Sequence, residues 1–263
     1  MFTPIIKRLE TDDEHYYFIG EEYYPAVTKI LSWGMYTPVQ LMDWRGRVGN
    51  EVAEEIMNSA GDRGSMIHDL LENLINGADI DLTKMASRDA HLAYNGFGGW
   101  LAEYQPKFLK LKDFNLATYG KSKLGTEFTV ASEEYKFAGT VDLLCEIDGE
   151  VWIVDFKTSK GVYDSHMLQI TAYQQAFEEM TGIKPRRGIL HLKNTTKKGY
   201  QFVEKIEIAK REVEMEDYMH VYELAKIRFG GKLPEPPKVQ QYPELFNLES
   251  LWRKEPKEQS ETP

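Results

Sequence analysis

Apolar residues change their spacing between the first 110 residues and the middle of the chain. In the first part they recur mostly at intervals of three and four residues, which is the spacing of amphipathic helices. This pattern predicts a short strand over residues 16–19 and helices over residues 26–33, 38–48, 52–59, 65–75 and 89–109. Asp62 precedes the fourth of these helices and is a residue type that caps helix N-termini. The N-terminal region is therefore predicted to be mainly helical.

A β-rich segment follows, with strands predicted over residues 125–130, 136–147 and 150–157. These runs are apolar, contain β-branched and aromatic residues, and are bounded by turn-forming residues. A helix over residues 165–180 comes next, and Gly182 is suited to end it. Strands over residues 188–193 and 201–208 and a helix over residues 211–229 complete the predicted order.

The Asp-Gly dipeptide at residues 148–149 separates two apolar-rich runs and is a strong signal for a two-residue β-hairpin turn. Such a turn fixes the register of the two strands, because Ile147 then pairs with Glu150 and every later pair follows. In this register Asp142 lies directly opposite Asp155. The sequence therefore predicts two carboxylates on one face of the hairpin.

Lys157 lies two residues after Asp155, so both side chains leave the same face of the strand, with Thr140 as the expected partner of Lys157. Facing like charges destabilise a sheet unless something offsets them, and a divalent cation would do so. The opposite face is nearly continuous core, formed by Val141, Leu143, Cys145, Ile147, Trp152, Val154 and Phe156. A slip of one residue would bury both aspartates in that core, so the apolar pattern specifies the register.

Two opposed carboxylates beside a lysine suit the hydrolysis of a phosphodiester. Carboxylate oxygens are hard ligands that select Mg²⁺ or Mn²⁺, and such an ion polarises phosphoryl oxygens and lowers the pKa of bound water. Lys157 would orient or help to deprotonate the attacking water, or stabilise charge on phosphorus. A surface ion pair between Asp155 and Lys157 is the simpler alternative, but carboxylates are depleted in strands, which makes two in register harder to explain this way.

The composition narrows the possible chemistry. The single cysteine, Cys145, excludes an internal disulfide and a thiolate-held iron–sulfur cluster. The formal charge of −10 is unfavourable for coating nucleic acid, so any basic residues that contact DNA must be locally concentrated. Candidate clusters are Lys107, Lys110 and Lys112; Lys121 and Lys123; Arg186 and Arg187; and Lys193, Lys197 and Lys198. The sequence shows neither a membrane-spanning run nor a secretion signal, which predicts a cytoplasmic protein without membrane contact.

Three motifs together resemble the PD-(D/E)xK nuclease superfamily, namely Gly139-Thr-Val-Asp142, Asp155-Phe-Lys157 and Gln169-Ile-Thr-Ala-Tyr173. The nearer resemblance is to its RecB-like branch, which includes phage-type exonucleases, and it covers roughly residues 64–180. It implies an α/β fold with a restriction-endonuclease-like core, in which helices flank a mixed central sheet, and a helical N-terminal region. It also implies Asp142, Asp155 and Lys157 as catalytic residues and Mg²⁺ or Mn²⁺ as the cofactor.

The resemblance assigns further metal ligands. By resemblance, the ligands are His68, Asp142, Asp155 and the backbone carbonyl of Phe156. His68 stands four residues after Gly64, as in the helical motif of the RecB-like branch. A lone helical histidine is more often structural, but the hairpin and the order of the motifs favour the metal. Glu127 precedes the first aspartate strand, where related nucleases often have an acidic residue, and is an additional candidate.

Gln169 and Tyr173 are four residues apart and share one face of the predicted helix. The resemblance implies that they line the site and contact the DNA strand, or hold the region of the lysine. The alternative is a partly buried polar pair that packs this helix on the sheet, which is also compatible with function.

The resemblance implies a metal-dependent DNA exonuclease that acts from a free end in recombination, repair or phage DNA metabolism. An endonuclease of the same superfamily and a non-catalytic DNA-binding subunit are the alternatives. A carbohydrate-processing or other acidic metal-binding protein ranks last, because it gives no reason for Lys157 and His68 together. The expected partner is DNA, with a recombinase, a single-strand-binding protein or a helicase as candidate protein partners. A phosphate-binding loop is absent from the sequence, so any unwinding would come from a partner.

Three regions are predicted along the chain. Residues 1–110 form a helical region that contributes His68, and residues 111–233 form the nuclease core. Residues 234–263 are rich in proline and charge and are predicted to be an extended or disordered tail. The sequence leaves the oligomeric state open.

Overall fold

The computed structural model describes residues 4–10, 15–116 and 124–236. Lys121, Lys123 and the part of the predicted tail beyond residue 236 lie outside these ranges. Within these ranges, no helix has an apolar stretch long enough to cross a membrane.

The helices and strands follow one another in a mixed order. The α-helices are α1 (Val27–Gly34), α2 (Val39–Val48), α3 (Asn50–Ile75), α4 (Ser87–His91), α5 (Gly99–Tyr104), α6 (Asp164–Thr181) and α7 (Met215–Arg228). The strands are β1 (Ile6–Glu10), β2 (His15–Ile19), β3 (Glu22–Tyr24), β4 (Lys107–Phe108), β5 (Thr126–Ser132), β6 (Phe137–Ile147), β7 (Glu150–Lys157), β8 (Arg186–Leu192), β9 (Tyr200–Val203), β10 (Glu207–Ile208) and β11 (Arg211–Glu212). A π-helix (Leu92–Gly98) joins α4 to α5, and short 3-10 helices lie at Leu82–Lys84 and Leu111–Phe114.

The largest sheet among the described residues has six strands in the order β4-β6-β7-β8-β9, with β5 also paired with β6. The pairs β6–β7 and β8–β9 are antiparallel, whereas β7 and β8 are parallel. A parallel pair needs a crossover connection, and α6 supplies it. The predicted mixed central sheet flanked by helices is therefore confirmed.

Both faces of this sheet are covered by helices. One face packs against α1 and α6, with Leu144 and Ile153 fully buried in that layer. The other face packs against α3 and the π-helix, with Leu143 and Val154 fully buried. The sequence predicted the second layer as core and placed Val141 in it, but Val141 is buried in the first layer, which the structure adds. Asp155 is consequently only 1% exposed.

The prediction of separate helices over residues 52–59 and 65–75 was wrong, because α3 is one continuous helix. Gly61, Gly64 and the predicted N-cap Asp62 all lie inside it. A glycine costs a helix about 1 kcal/mol relative to alanine, so the local signals do favour a break. Ile67 and Leu71 are fully buried against the sheet, however, and packing of an apolar helix face outweighs propensity.

Helix boundaries near residue 105 and residue 211 also differ from the prediction. The helical segment that begins at α4 ends at Tyr104, because Gln105 has a φ of 44° and β4 then pairs with β6. The predicted strand over residues 201–208 is divided between β9 and β10, which belong to different sheets. Ala209 and Lys210 have φ angles of 50° and 64° and turn the chain from β10 into β11, so α7 begins only at Met215.

The N-terminal region contains a small sheet in addition to its helices. Strands β1, β2 and β3 form a three-stranded antiparallel sheet, of which only β2 was predicted. Tyr17 and Tyr24 pair across β2 and β3 and are both buried in the layer that also contains α1 and α6. This sheet is therefore packed into the same core as the central sheet.

Candidate active site

The turn between β6 and β7 has the geometry that its sequence predicts. Asp148 and Gly149 have φ angles of 52° and 79°, both in the left-handed region that a two-residue type I′ turn requires. The predicted register is present from this turn as far as the pair Leu143 and Val154. Asp142 precedes Leu143 and Asp155 follows Val154, so the two predicted catalytic aspartates lie just beyond the last pair.

The two strands pair with other partners beyond that point. The ladder between β6 and β7 ends at Leu143 and Val154, so the predicted pairing of Thr140 with Lys157 was wrong, although Thr140 still pairs with Thr129 of β5 and Lys157 with His191 of β8. At this point the side chain of Asp142 accepts the main-chain N–H of Phe156, so a side chain takes up a main-chain donor of β7. Side-chain contacts, rather than ladder hydrogen bonds, therefore connect the aspartate region of β6 with that of β7.

Asp142, Glu127 and His68 come together from β6, β5 and α3. Asp142 Oδ2 accepts the main-chain N–H of Phe156 at 2.5 Å, and Asp142 Oδ1 lies 3.4 Å from His68 Nδ1. Glu127 Oε1 lies 3.8 Å from the same nitrogen. One possible ligand atom from each of the three residues lies within 4.8 Å of the others. A group of this size and chemistry can hold one metal ion.

Glu127 has an unusual backbone conformation for a strand residue. Its φ is 46°, and its neighbours Thr126 and Phe128 pair regularly with Leu143 and Val141. A left-handed conformation of a non-glycine residue costs on the order of 1–3 kcal/mol and is often found at functional sites. This distortion has no signal in the sequence, because residues 125–130 have an ordinary strand pattern.

Asp155 and Lys157 form a buried ion pair. Lys157 Nζ lies 2.7 Å from Asp155 Oδ2, and the two side chains are 17% and 1% exposed. Among the described residues, no well-aligned hydrogen bond reaches this buried oxygen. The charge of Asp155 is therefore compensated by the proximity of the ammonium group and lacks the directed bonds that a buried carboxylate normally has.

The charges of the site compensate one another. Burial raises the pKa of Asp155 to about 6, against the opposing effect of Lys157. Burial would lower the pKa of Lys157, but the neighbouring carboxylates outweigh it and raise that pKa. Burial would likewise lower the pKa of His68, but the Asp142 carboxylate raises it to about 10. Burial would raise the pKa of Asp142, but the nearby His68 lowers it. Protonated His68 and Lys157 are thus the counter-ions of the carboxylates.

Gln169 and Tyr173 lie on the face of α6 that packs against the sheet. Gln169 Nε2 donates to Tyr173 Oη at 3.0 Å, and both side chains are buried. A Cβ on Gly139 would lie 2.3 Å from the Tyr173 ring, so glycine lets this ring pack on β6 three residues before Asp142. The pair thus supports the catalytic strand, and contact with DNA stays a prediction.

Phe156 connects β7 with α3 and the π-helix. Its main-chain N–H binds Asp142, and its ring meets those of His68 and Phe97 edge-on at centroid distances of 5.9 and 5.8 Å. The carbonyl of Phe156 as a metal ligand stays a prediction. These ring contacts hold the imidazole beside β7.

One residue of the predicted basic clusters, Arg187, has a structural role. Arg187 is buried, donates to Thr171 Oγ1 at 2.8 Å and to the Val213 carbonyl at 2.6 Å, and pairs with Glu212. Its guanidinium therefore joins α6 to the segment before α7 and is not available to DNA.

Two contacts near the site were not predicted from the sequence. His191 Nε2 lies 2.7 Å from the carbonyl oxygen of Ser159 and donates to it, which ties the segment after Lys157 to β8. Arg8 and Tyr17 of the N-terminal sheet both contact Thr140 of the catalytic strand. Neither contact has a sequence signal, because each joins elements whose packing is tertiary.

Comparisons with known proteins identify the family of this chain. The family model of the PD-(D/E)XK nuclease superfamily matches residues 43–258. The structure of SSO0001 is 12% identical with a TM-score of 0.38 and covers 80% of this chain and 79% of that chain. A candidate exonuclease from Eubacterium rectale is 10% identical with a TM-score of 0.39 and covers 72% of this chain and 79% of that chain. Both TM-scores are low, so neither structure bears on function. No curated protein matches the chain.

Proposed function

Because the chain belongs to the PD-(D/E)XK nuclease superfamily, we propose that it is a metal-dependent deoxyribonuclease with Asp142, Asp155 and Lys157 as its catalytic residues. The superfamily makes the protein a nuclease, and the metal, the substrate and the residue roles are the proposal. One observation carries it, namely that possible ligand atoms of His68, Glu127 and Asp142 lie within 4.8 Å of one another on the catalytic hairpin and its neighbours.

The residues present fit a hard divalent cation. Carboxylate oxygens with one imidazole nitrogen form a donor set that accepts Mg²⁺ or Mn²⁺. The buried Oδ2 of Asp155 lacks a well-aligned hydrogen bond, and a cation would compensate such an atom. We assign as ligands His68, Asp142, Asp155, the carbonyl of Phe156 and, additionally, Glu127. Residues 1–110 would thus contribute one ligand to a core formed by residues 111–233.

The bound cation would supply Lewis-acid stabilisation of the phosphoryl oxygens and lower the pKa of water. Lys157 contributes a positive charge, because the neighbouring carboxylates raise its pKa and keep it protonated at neutral pH. A protonated ammonium donates hydrogen bonds and does not accept a proton. We therefore assign Lys157 to orienting the attacking water and stabilising the developing negative charge, and not to general-base catalysis.

Metal binding should release a proton from His68. The pKa of His68 is about 10 because of Asp142, whereas an imidazole that binds a metal must be deprotonated. We expect the affinity for Mn²⁺ to rise with pH up to the pKa of His68, by up to about tenfold per pH unit. Calorimetric titration with Mn²⁺ in buffers of different ionisation enthalpy measures the protons released. His68→Gln should remove about one of them. Equal proton release by the parent and His68→Gln would exclude His68 as a ligand.

We propose that cleavage starts from a free DNA end, on the resemblance of the motifs between residues 64 and 180 to the RecB-like branch, which includes phage-type exonucleases. The test uses end-labelled linear single- and double-stranded DNA beside covalently closed circular single-stranded DNA, with Mg²⁺, Mn²⁺ or EDTA. An exonuclease should degrade the linear strand and leave the circle intact, and EDTA should abolish all cleavage. The position of the label in the first products reports the polarity.

Three results would contradict parts of this proposal. Equal cutting of circular and linear DNA would establish an endonuclease with the same catalytic residues. Cleavage that persists in EDTA after prior metal removal would exclude the metal site. Binding without cleavage under every metal condition would favour a non-catalytic DNA-binding subunit.

A further inference from the structure

The three-stranded sheet at the N-terminus lies outside the family match, which begins at residue 43, yet it contacts the catalytic strand. Arg8 of β1 and Tyr17 of β2 are directly opposed partners. Their side chains converge on one atom of β6, because Arg8 Nη1 lies 3.2 Å and Tyr17 Oη lies 3.0 Å from Thr140 Oγ1. The small sheet thus delivers a guanidinium to the edge of the site.

Thr140 lies two residues before Asp142 on β6. Two residues of a strand span about 6.5 Å, and their side chains leave the same face. The guanidinium of Arg8 is therefore held about one strand repeat from the carboxylate that contacts His68. Arg8 Nη2 also lies 3.4 Å from Nε2 of His15, which places an imidazole beside the guanidinium.

The catalytic centre needs an additional cation to hold a phosphate chain. The formal charge of the protein is −10, and the site itself carries Asp142, Asp155 and Glu127, which repel phosphates. The cationic groups His68 and Lys157 are engaged by these carboxylates. A guanidinium is always charged and presents donors in a fork that matches a phosphate.

We propose that Arg8 binds a backbone phosphate next to the one that is cleaved, and that Thr140 and Tyr17 position its guanidinium for this contact. The proposal rests on the proposed nuclease function and names a substrate-binding residue outside the family match. A guanidinium has five N–H donors. One of them can stay bonded to Thr140 while a phosphate replaces the partners that the other donors have in this structure.

The test measures binding of a labelled single-stranded oligonucleotide, and of a duplex of the same sequence, to the full chain in EDTA. Fluorescence anisotropy between about 50 and 200 mM salt gives the affinity and its salt dependence. Arg8→Gln should lower the affinity about three- to tenfold and reduce the slope of log K against log salt by roughly 0.7 on the single strand. Arg8→Lys should keep the slope.

Lys7→Gln is the matched control, since Lys7 is exposed, precedes Arg8 on β1 and leaves the opposite face of the strand, so the same charge is removed away from Thr140. It should leave the salt slope unchanged. A salt slope in Arg8→Gln equal to that of the parent would overturn the proposal. If Tm falls while the slope is unchanged, Arg8 only ties the small sheet to β6. The KM for DNA cleavage in Mg²⁺ compares the parent and the variants during turnover. It should be higher in Arg8→Gln than in the parent.

The two proposals fail in different ways. If the parent protein cleaves DNA but Arg8→Gln changes neither the salt slope nor the KM, only the assignment of Arg8 is wrong. If the parent neither binds nor cleaves DNA, the proposed function falls and the assignment of Arg8 with it.

Discussion

Lys157→Ala should reduce the rate of DNA cleavage by about 10²–10³-fold, the effect of removing one preorganised donor that stabilises transition-state charge. The expectation follows from its position, because Nζ lies 2.7 Å from Asp155 Oδ2 and the side chain is mostly buried. It also follows from its charge, since the carboxylates of Asp155 and Asp142 raise its pKa. Single-turnover cleavage of end-labelled linear DNA in saturating Mg²⁺ measures the chemical step directly.

Lys184→Ala is the control for a general loss of positive charge. Lys184 is exposed and follows α6 at the end of the helix away from Lys157, so its removal should leave the rate unchanged. Lys157→Arg separates charge from geometry, because a planar guanidinium does not reproduce a point charge at Nζ. Full activity in Lys157→Ala would exclude the lysine from catalysis and leave the Asp155–Lys157 pair as a structural feature.

Asp155→Asn should lower the cleavage rate by on the order of 10²–10⁴-fold, because loss of a metal ligand removes several kcal/mol of transition-state stabilisation. The same substitution should change the stability in EDTA only slightly, because the loss of a buried negative charge opposes the cost of leaving the Lys157 ammonium without its partner. Asparagine has nearly the same shape, and it removes a buried carboxylate whose oxygen lacks a well-aligned hydrogen bond. Loss of activity without loss of folding would therefore identify Asp155 as a functional residue.

The pH dependence of stability has a definite sign at Asp155. Burial raises its pKa to about 6 in the folded protein, above the usual value of an aspartate. Protonated Asp155 thus favours the folded state, and this contribution is lost as the pH rises from the unfolded to the folded pKa. Asparagine mimics the protonated form, so Tm in EDTA at neutral pH should stay within about 3 °C of the parent or rise.

Thermal unfolding with and without Mn²⁺ completes this test. A ligand that binds only the folded state raises Tm, so Mn²⁺ should stabilise the parent and have a much smaller effect on Asp155→Asn. Equal stabilisation of both proteins would show that Asp155 is not a ligand. A large fall of Tm in EDTA would show instead that the carboxylate is needed for folding.

The sequence was sufficient for the hairpin and its register. Asp148 and Gly149 adopt the left-handed conformations of a two-residue turn, and the predicted pairing continues to Leu143 and Val154. Both results depend on residues that are close in sequence, so local dihedral preferences and the alternation of apolar positions decide them. The same signals failed at α3, where buried apolar contacts override two glycines.

By itself, the sequence thus determined the hairpin, its register as far as Leu143 and Val154, and the superfamily to which the motifs belong. Only the tertiary structure decided which other groups reach the carboxylates of Asp142 and Asp155. His68 and Glu127 meet Asp142 because α3 packs along the sheet and because Glu127 adopts a φ of 46°. Arg8 contacts Thr140 across 132 positions of the chain. Such contacts depend on the packing of whole elements, which short-range periodicity does not encode.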